Sequence, residues 1–307
     1  MKLRQLQCLC AVVDADFNLS RAAVLLHQTQ PAVSKQLRQL EEELGLDLLV
    51  RHGGRALGLT EAGAQTVGWA RRALQSVDNI RSLAQERRGD AGGSIQLVTS
   101  PTHAKYVLLP VIHAFSRRYP KVRIEVKQGS PEQAVDLVSE GHATLGVISL
   151  SPSQHKDVLA VPFRSSPILL IARRGHPLLK PRSLTLDKLR EHPFILVQPS
   201  ALGDQVLARF RAAGLEPNVA VHAVNADMTK DFVLAGLGVG LIPTFAYLAA
   251  RDRGLAARDA SHLFDPVVSS VLLRRRSHLP QYAYDFLQLL DASLGRERLE
   301  PLVFEHA

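Results

Sequence analysis

The chain is short of several residue types, and each shortage removes a class of protein. Only two of its 307 residues are cysteine, Cys8 and Cys10. They stand two apart in a stretch that reads as helix, where side chains at i and i+2 do not face each other, so neither a disulfide nor a metal pair is expected. Buried free thiols of a reducing cytoplasm fit that spacing. Aromatic residues make up 5% of the chain, and mean hydropathy is close to zero, the composition of an ordinary globular protein. No run approaches the ~20 consecutive apolar residues of a membrane span. The opening MKLRQLQCLC lacks the apolar core and cleavage site of a secretory leader. A cytoplasmic protein without membrane contact is expected. Enzyme signatures are missing too: there is no P-loop, HExxH or GxSxG, and the twelve histidines are scattered without ligand spacing. Gly236-x-Gly238-x-Gly240 leads into a strand and Pro243 instead of a helix start, so it does not read as a nucleotide loop. No catalytic residue, metal site or resident cofactor is expected.

What the chain does have is positive charge, a formal +8 that suits an anionic partner. Placement matters more than the total, because residues 1–60 hold seven Lys/Arg against six Asp/Glu. The telling stretch is 18–60, read as two short helices joined by a tight turn and followed by a hairpin. Thr29 is a plausible N-cap, with Pro31 in the first turn, where its missing N–H does no harm. Val33, Leu37, Leu40 and Leu44 then form one apolar stripe at helical period. Gln30, Ser34, Lys35 and Arg38 lie on another side, towards the N-terminal half that a recognition helix pushes into a major groove. Glu41, Glu42 and Glu43 would repel phosphate and are expected to point away from it. The small pair Ala22-Ala23 in the preceding helix permits the close crossing of a helix-turn-helix. Arg51 and Arg55 flank Gly53-Gly54 in the hairpin, a "wing" that presents such a turn to the phosphate backbone.

Residues 60–88 read as a longer helix capped by Thr60. Val67, Ala70, Leu74, Val77 and Ala84 recur at coiled-coil spacing, an apolar seam for a second copy of the chain. A linker with three glycines follows at 89–94. From 95 onward short apolar strands alternate with helices, which implies parallel sheets covered on both faces. The division expected is 1–59 DNA-binding, 60–88 dimerisation helix, 89–94 hinge, 95–162 with 267–307 a first lobe, and 163–266 a second. The fold class is α/β, with an N-terminal winged helix-turn-helix and a two-lobed C-terminal domain.

The ordered run Ser20-x-Ala22-Ala23-x-x-Leu26, Gln30-Pro31-Ala32-Val33-Ser34, Leu40-Glu41-x-x-Leu44-Gly45, Arg51 and Leu59-Thr60-x-x-Gly63 resembles the LysR-type transcriptional regulators. The resemblance implies a periplasmic-binding-protein-like effector domain in the two lobes. It also implies a linker helix that pairs two chains, a homodimer assembling to a homotetramer on double-stranded promoter DNA, and RNA polymerase as a further partner. Ser100 to Tyr106, Gln128-Gly129-Ser130-Pro131, Asn225-Ala226-Asp227 and Tyr284-Asp285-Phe286 are similar to the CysB-like branch of cysteine and sulfur-assimilation regulators.

In open parallel sheets ligands bind beyond the carboxyl ends of the strands, at helix N-termini. Ser100, Thr102, His103, Ser149, Leu202, Gly203 and Asn225 come together there and are the expected effector contacts. Hydroxyls beside backbone N–H groups suit a carboxylate, sulfonate or sulfate. Within the resembling branch, hydroxyls stand at 100, 102, 149 and 202 and an amide at 103. Here 103 is histidine, 202 is leucine, and Leu150 and Asp204 replace polar and basic residues. Those departures favour an acid with a less polar tail towards Leu202. The alternative reading is a solute-binding protein without DNA function.

Overall fold

The structure is a computed structural model and describes residues 1–52, 55–87, 92–149, 155–180 and 184–304. It divides near residue 90 into two compact units. In the first, α1 (Leu3–Asp14), α2 (Leu19–Leu25) and α3 (Gln30–Leu44) precede a hairpin of β1 (Leu49–His52) and β2 (Arg55–Leu59), and α4 (Glu61–Arg87) closes the unit. Val33, Leu37 and Leu40 are buried beside Leu6, Leu9, Val12, Ala22 and Ala23, as the helical stripe requires. Leu44 is the exception, 37% exposed, because Gly45 at φ 65° ends the helix directly after it. Both cysteines are buried in α1.

The second unit holds two mixed five-stranded sheets. In order come β3 (Gly93–Thr99), α5 (Pro101–His103), a π turn (Ala104–Leu108), α6 (Leu109–Arg118), β4 (Val122–Gln128), α7 (Pro131–Ser139), β5 (Leu145–Ser149), β6 (Val158–Ser166) and β7 (Ile168–Arg173). There follow α8 (Leu186–Arg190), β8 (Phe194–Val197), α9 (Ala201–Ala212), β9 (Val219–Ala223), α10 (Ala226–Leu234), β10 (Val239–Pro243), β11 (Leu255–Asp259), β12 (Val267–Arg274), α11 (Gln281–Leu290) and α12 (Arg296–Phe304). The first sheet has the order β4-β3-β5-β12-β6 and the second β11-β7-β10-β8-β9. Neither is the all-parallel sheet expected. Strand β12 runs antiparallel to both β5 and β6, and β7 antiparallel to both β10 and β11. Among the described residues, parallel pairing is confined to β3, β4 and β5 and to β8, β9 and β10.

Successive strand residues point to opposite faces, so each sheet feeds two cores. Leu97 packs in one and Val98 in the other, and Leu170 and Ile171 divide in the same way. Strand β6 pairs with β12 as far as Ser166, so the first lobe runs past the boundary expected at 162. Strand β3 begins at Gly93, inside the stretch expected to be hinge.

Candidate nucleic-acid interface and effector site

The N-terminus of α3 is closed by Thr29, whose Oγ1 accepts the Ala32 N–H at 3.4 Å. Once Val33, Leu37 and Leu40 are buried, Gln30, Pro31, Lys35 and Arg38 are left exposed and Ser34 half-buried. These five residues, with Gln39 and Glu42, line one surface groove. Arg38 donates to Ser34 Oγ at 3.3 Å. An amide, a hydroxyl and two cations on an open helix face are groups that can meet base edges and phosphates.

Glu41 turns to the wing. Its Oε1 accepts the N–H groups of Leu48 (3.0 Å) and Leu49 (3.2 Å), and its Oε2 takes the Arg51 guanidinium at 2.9 Å. The carboxylate thus ties the first wing strand to the recognition helix. Arg51, expected on phosphate, is engaged by Glu41. Arg55 opens β2 opposite His52, and its side chain, like Gly53 and Gly54, lies outside the described part. Behind the wing, Thr60 Oγ1 donates to the Asp47 carbonyl at 2.6 Å and accepts the Gly63 N–H at 2.9 Å. A Cβ at Gly63 would meet the Leu48 carbonyl oxygen at 2.0 Å. The close approach of α4 to the wing is the physical reason for Thr-x-x-Gly at its start.

The seam expected along α4 is partly used inside its own unit. Val67 and Ala70 are buried in that core, and Arg71 donates to Asp14 at 2.6 Å. Ala84 of that seam is exposed, and among the described residues of α4 Trp69 and Ile80 are exposed large apolar side chains, at 67% and 68%. They lie eleven positions apart, about three helical turns at 3.6 residues per turn, and so share a face.

In the second unit a cavity of about 380 Å³ opens between the two sheets. Ser100, Thr102, His103 and Ser149, with Gln128, Ser130 and Gln133, supply polar groups from the first lobe, and the second lobe gives a mainly apolar lining of Val197, Leu202, Val224, Leu241 and Ile242, interrupted by Gln198 and Ser200. No charged side chain lines it among the described residues. Each polar residue stands just beyond a strand end or at a helix start. Ser100 caps α5 by accepting the His103 N–H at 3.3 Å, and Ser149 closes β5. Thr102 reaches the other lobe, where its Oγ1 accepts the Ala226 N–H at 3.2 Å.

His103 is 4% exposed, and both its ring nitrogens are engaged. Nδ1 lies 2.9 Å from Ser100 Oγ, and Nε2 lies 2.9 Å from Ser269 Oγ and 3.4 Å from Ser149 Oγ. Burial, and after it the nearby charge of Arg164, pushes its pKa down to about 4. The imidazole is therefore neutral at physiological pH. The structure brings Ser100, Thr102, His103, Ser149 and Leu202 onto the cavity wall. Two expected contacts do not line it. The Gly203 N–H is taken by Ser200 Oγ at 2.9 Å, and the Asn225 side chain caps α10 by accepting the Met228 N–H at 2.9 Å. Leu150 lies outside the described residues. Ser269 was missed: in the run Val267–Arg274 it reads as one more residue of a buried strand, and only the fold sets it beneath His103.

A latch joins the lobes beside the cavity. From the π turn, Lys105 Nζ and the Tyr106 hydroxyl both donate to Asp227 Oδ1, at 2.7 and 2.5 Å. Lys230 donates to the Tyr106 oxygen at 2.9 Å and to Asp252 at 3.0 Å. Burial alone would raise the Asp227 pKa. Hydrogen bonds from Lys105 and Tyr106, with the charges of Lys105 and Lys230, outweigh it and hold the carboxyl below its ordinary value. For Tyr106, burial and then the bond to Asp227 push the hydroxyl pKa far up.

Two family models match the chain: a bacterial regulatory helix-turn-helix protein of the lysR family over residues 3–64, and a LysR substrate binding domain over residues 88–295. The regulator SsuR of Burkholderia cenocepacia is 33% identical over 99% of both chains. The regulator CysB of Haemophilus influenzae is 34% identical over 98% of this chain and 93% of that one. Among solved structures, the cofactor-binding domain of the Cbl transcriptional regulator is 30% identical with a TM-score of 0.66, covering 71% of this chain and 96% of that one. Full-length CbnR complexed with its target DNA is 26% identical with a TM-score of 0.62, covering 95% of this chain and all of that one.

Proposed function

The chain belongs to the LysR family of bacterial helix-turn-helix transcriptional regulators, and on that premise we propose that its signal is a small acid with an apolar body, held in the cavity of the second unit. It is a DNA-binding regulator similar to sulfur-assimilation regulators, not an enzyme. Its N-terminal domain sets aside the reading as a solute-binding protein without DNA function.

The character of the cavity wall carries the proposal: the hydroxyls of Ser100, Thr102 and Ser149 from the first lobe, a mainly apolar lining broken by Gln198 and Ser200 from the second, and no charged side chain among the described residues. Neutral donors and helix N-termini suit an anionic oxygen. An ammonium group, by contrast, would meet no carboxylate. Asp204 accepts from Gln198 and Asp227 from Lys105 and Tyr106, which ties both acids down. The carboxylate, sulfonate or sulfate end sits at Ser100, Thr102 and Ser149, and the tail runs towards Leu202 and Val224.

The regulator works in the cytoplasm as a homodimer paired through the open face of α4, and two dimers join as a tetramer. Effector shifts the population between two arrangements of that oligomer, which only a ligand with unequal affinity for the two can do. Paired recognition helices then read half-sites about 34–36 Å apart, or a multiple of that spacing, and the altered promoter geometry is passed to RNA polymerase. Calorimetric titration with benzenesulfonate, sulfate and acetylserine tests the ligand class. Benzenesulfonate should bind tightest; tight binding of acetylserine alone defeats the proposal.

A further inference from the structure

The protons of His103, of Ser100 and Ser149 on the cavity wall and of Ser269 beneath it can be arranged in only a few ways, and counting them selects one. A neutral imidazole has one N–H and one bare nitrogen, and a serine hydroxyl has one proton and two acceptor sites. Ser269 is fully buried, and His103 Nε2 is its one side-chain hydrogen-bond partner among the described residues. If Nε2 carried the ring proton, it would donate to Ser269, and the Ser269 proton would be stranded in the interior. A buried polar proton without an acceptor keeps its full desolvation penalty. If Nδ1 carries it, Ser269 donates to bare Nε2 and every buried group is satisfied.

From this count we infer that His103, held in its Nδ1–H form by Ser269, fixes Ser100 as a hydrogen-bond donor towards the cavity and so selects effectors that present an acceptor-only group. Ser100 Oγ then receives two N–H groups, from the His103 backbone at 3.3 Å and the ring at 2.9 Å. Both acceptor sites are filled, and its own proton turns to the ligand. Ser149 lies 3.4 Å from Nε2, a nitrogen whose single lone pair the closer Ser269 occupies, so its proton is also left for the ligand. His103 and Ser269 act here as positioning residues. An ionised carboxylate or sulfonate accepts from both serines through any of its oxygens, an amide can do so only through its carbonyl, and an ammonium turns protons against protons.

The inference rests on the effector reading above for its ligand, but its first test needs none. Nitrogen-15 NMR of the ligand-free full chain, labelled at histidine, reports the tautomer. The His103 resonance is identified by its loss in His103→Gln and, should that variant misfold, by its change in Ser269→Ala. A protonated Nδ1 with a bare Nε2 is expected; the reverse pattern overturns the inference. Benzenesulfonate titration is the second test. Ser269→Ala frees the ring to flip and Ser100 to turn away, so affinity should fall about tenfold, as for the loss of one hydrogen bond to a charged group. Ser269 is not on the cavity wall, so unchanged affinity in that variant also overturns it. Should the unaltered chain bind no acid at all, the effector reading fails by itself, and the ring tautomer still decides the protonation claim.

Discussion

The recognition face of α3 and the cavity of the second unit, both of which we propose to meet anions, are built in opposite ways. On α3 the polar groups are exposed, apart from the half-buried Ser34, and include two cations, Lys35 and Arg38. In the cavity there is no charged side chain among the described residues, and the polar groups are bonded to one another. A phosphate backbone is long, hydrated and repetitive, so mobile surface cations can follow it and salt weakens the contact. A small acid drawn out of water needs donors already aimed, because an unpaired buried cation would itself carry a desolvation penalty. The difference teaches that charge serves the large partner and geometry the small one.

The contrast breaks most severely if charge is put into the cavity. Leu202→Glu places a carboxylate on the wall and should weaken benzenesulfonate binding at least about 100-fold, since like charges brought together cost several kcal/mol. Calorimetry reads this, with circular dichroism of the variant as the check on folding. On the other surface, Ser34→Ala should lose about 1–3 kcal/mol on the operator and little on random DNA, while Lys35→Gln weakens both and lowers the salt slope by about one. Gel shifts at several salt concentrations separate the two. Equal losses for Ser34→Ala on both DNAs would show that charge alone governs α3. A smaller effect is expected from Glu41→Gln, about 1–2 kcal/mol of stability in urea denaturation, as a charged acceptor of three hydrogen bonds becomes neutral.

The smallest effect concerns the latch and its acid limb. The Asp227 carboxyl is held below its ordinary value of 3.8, so its contribution to stability is fully present above that value and lost as pH falls through the folded pKa. Asp227→Asn should therefore lower stability at neutral pH and flatten the acid limb of a pH–stability curve. A curve that keeps its slope in the variant would assign the acid sensitivity to other carboxyls.

The helices of the first unit were legible because one-sided burial writes a period into the sequence, and Val33, Leu37 and Leu40 show it. The parallel strands β3, β4, β5, β8, β9 and β10 were legible for a related reason, being short runs, apolar throughout or alternating as in β4, that interrupt the helical pattern. What escaped was whatever depends on the partner strand. Strands β6 and β11 were not foreseen, and β11 lies at a sheet edge where polar residues are tolerated. The direction of β12 and β7 is set by where the chain re-enters each sheet, which no local pattern encodes. The cavity residues at 100, 102, 103, 149 and 202 could be named from strand ends and resemblance. The role of Glu41 could not, because an acid in a helix gives no sign that two amides and an arginine of the wing will converge on it.

The π turn at Ala104–Leu108 has a consequence for how this regulator can change. A π turn adds one residue to an α-helix, and Lys105 and Tyr106, both of which bind Asp227, lie within it. Loss of a single codon there would restore the regular winding and swing what precedes it by about 100°, one residue's share of a 3.6-residue turn. Two contacts across the lobes would vanish together with no side chain altered. A lineage could thus slacken its sensor in one genetic event, through chain length instead of through chemistry.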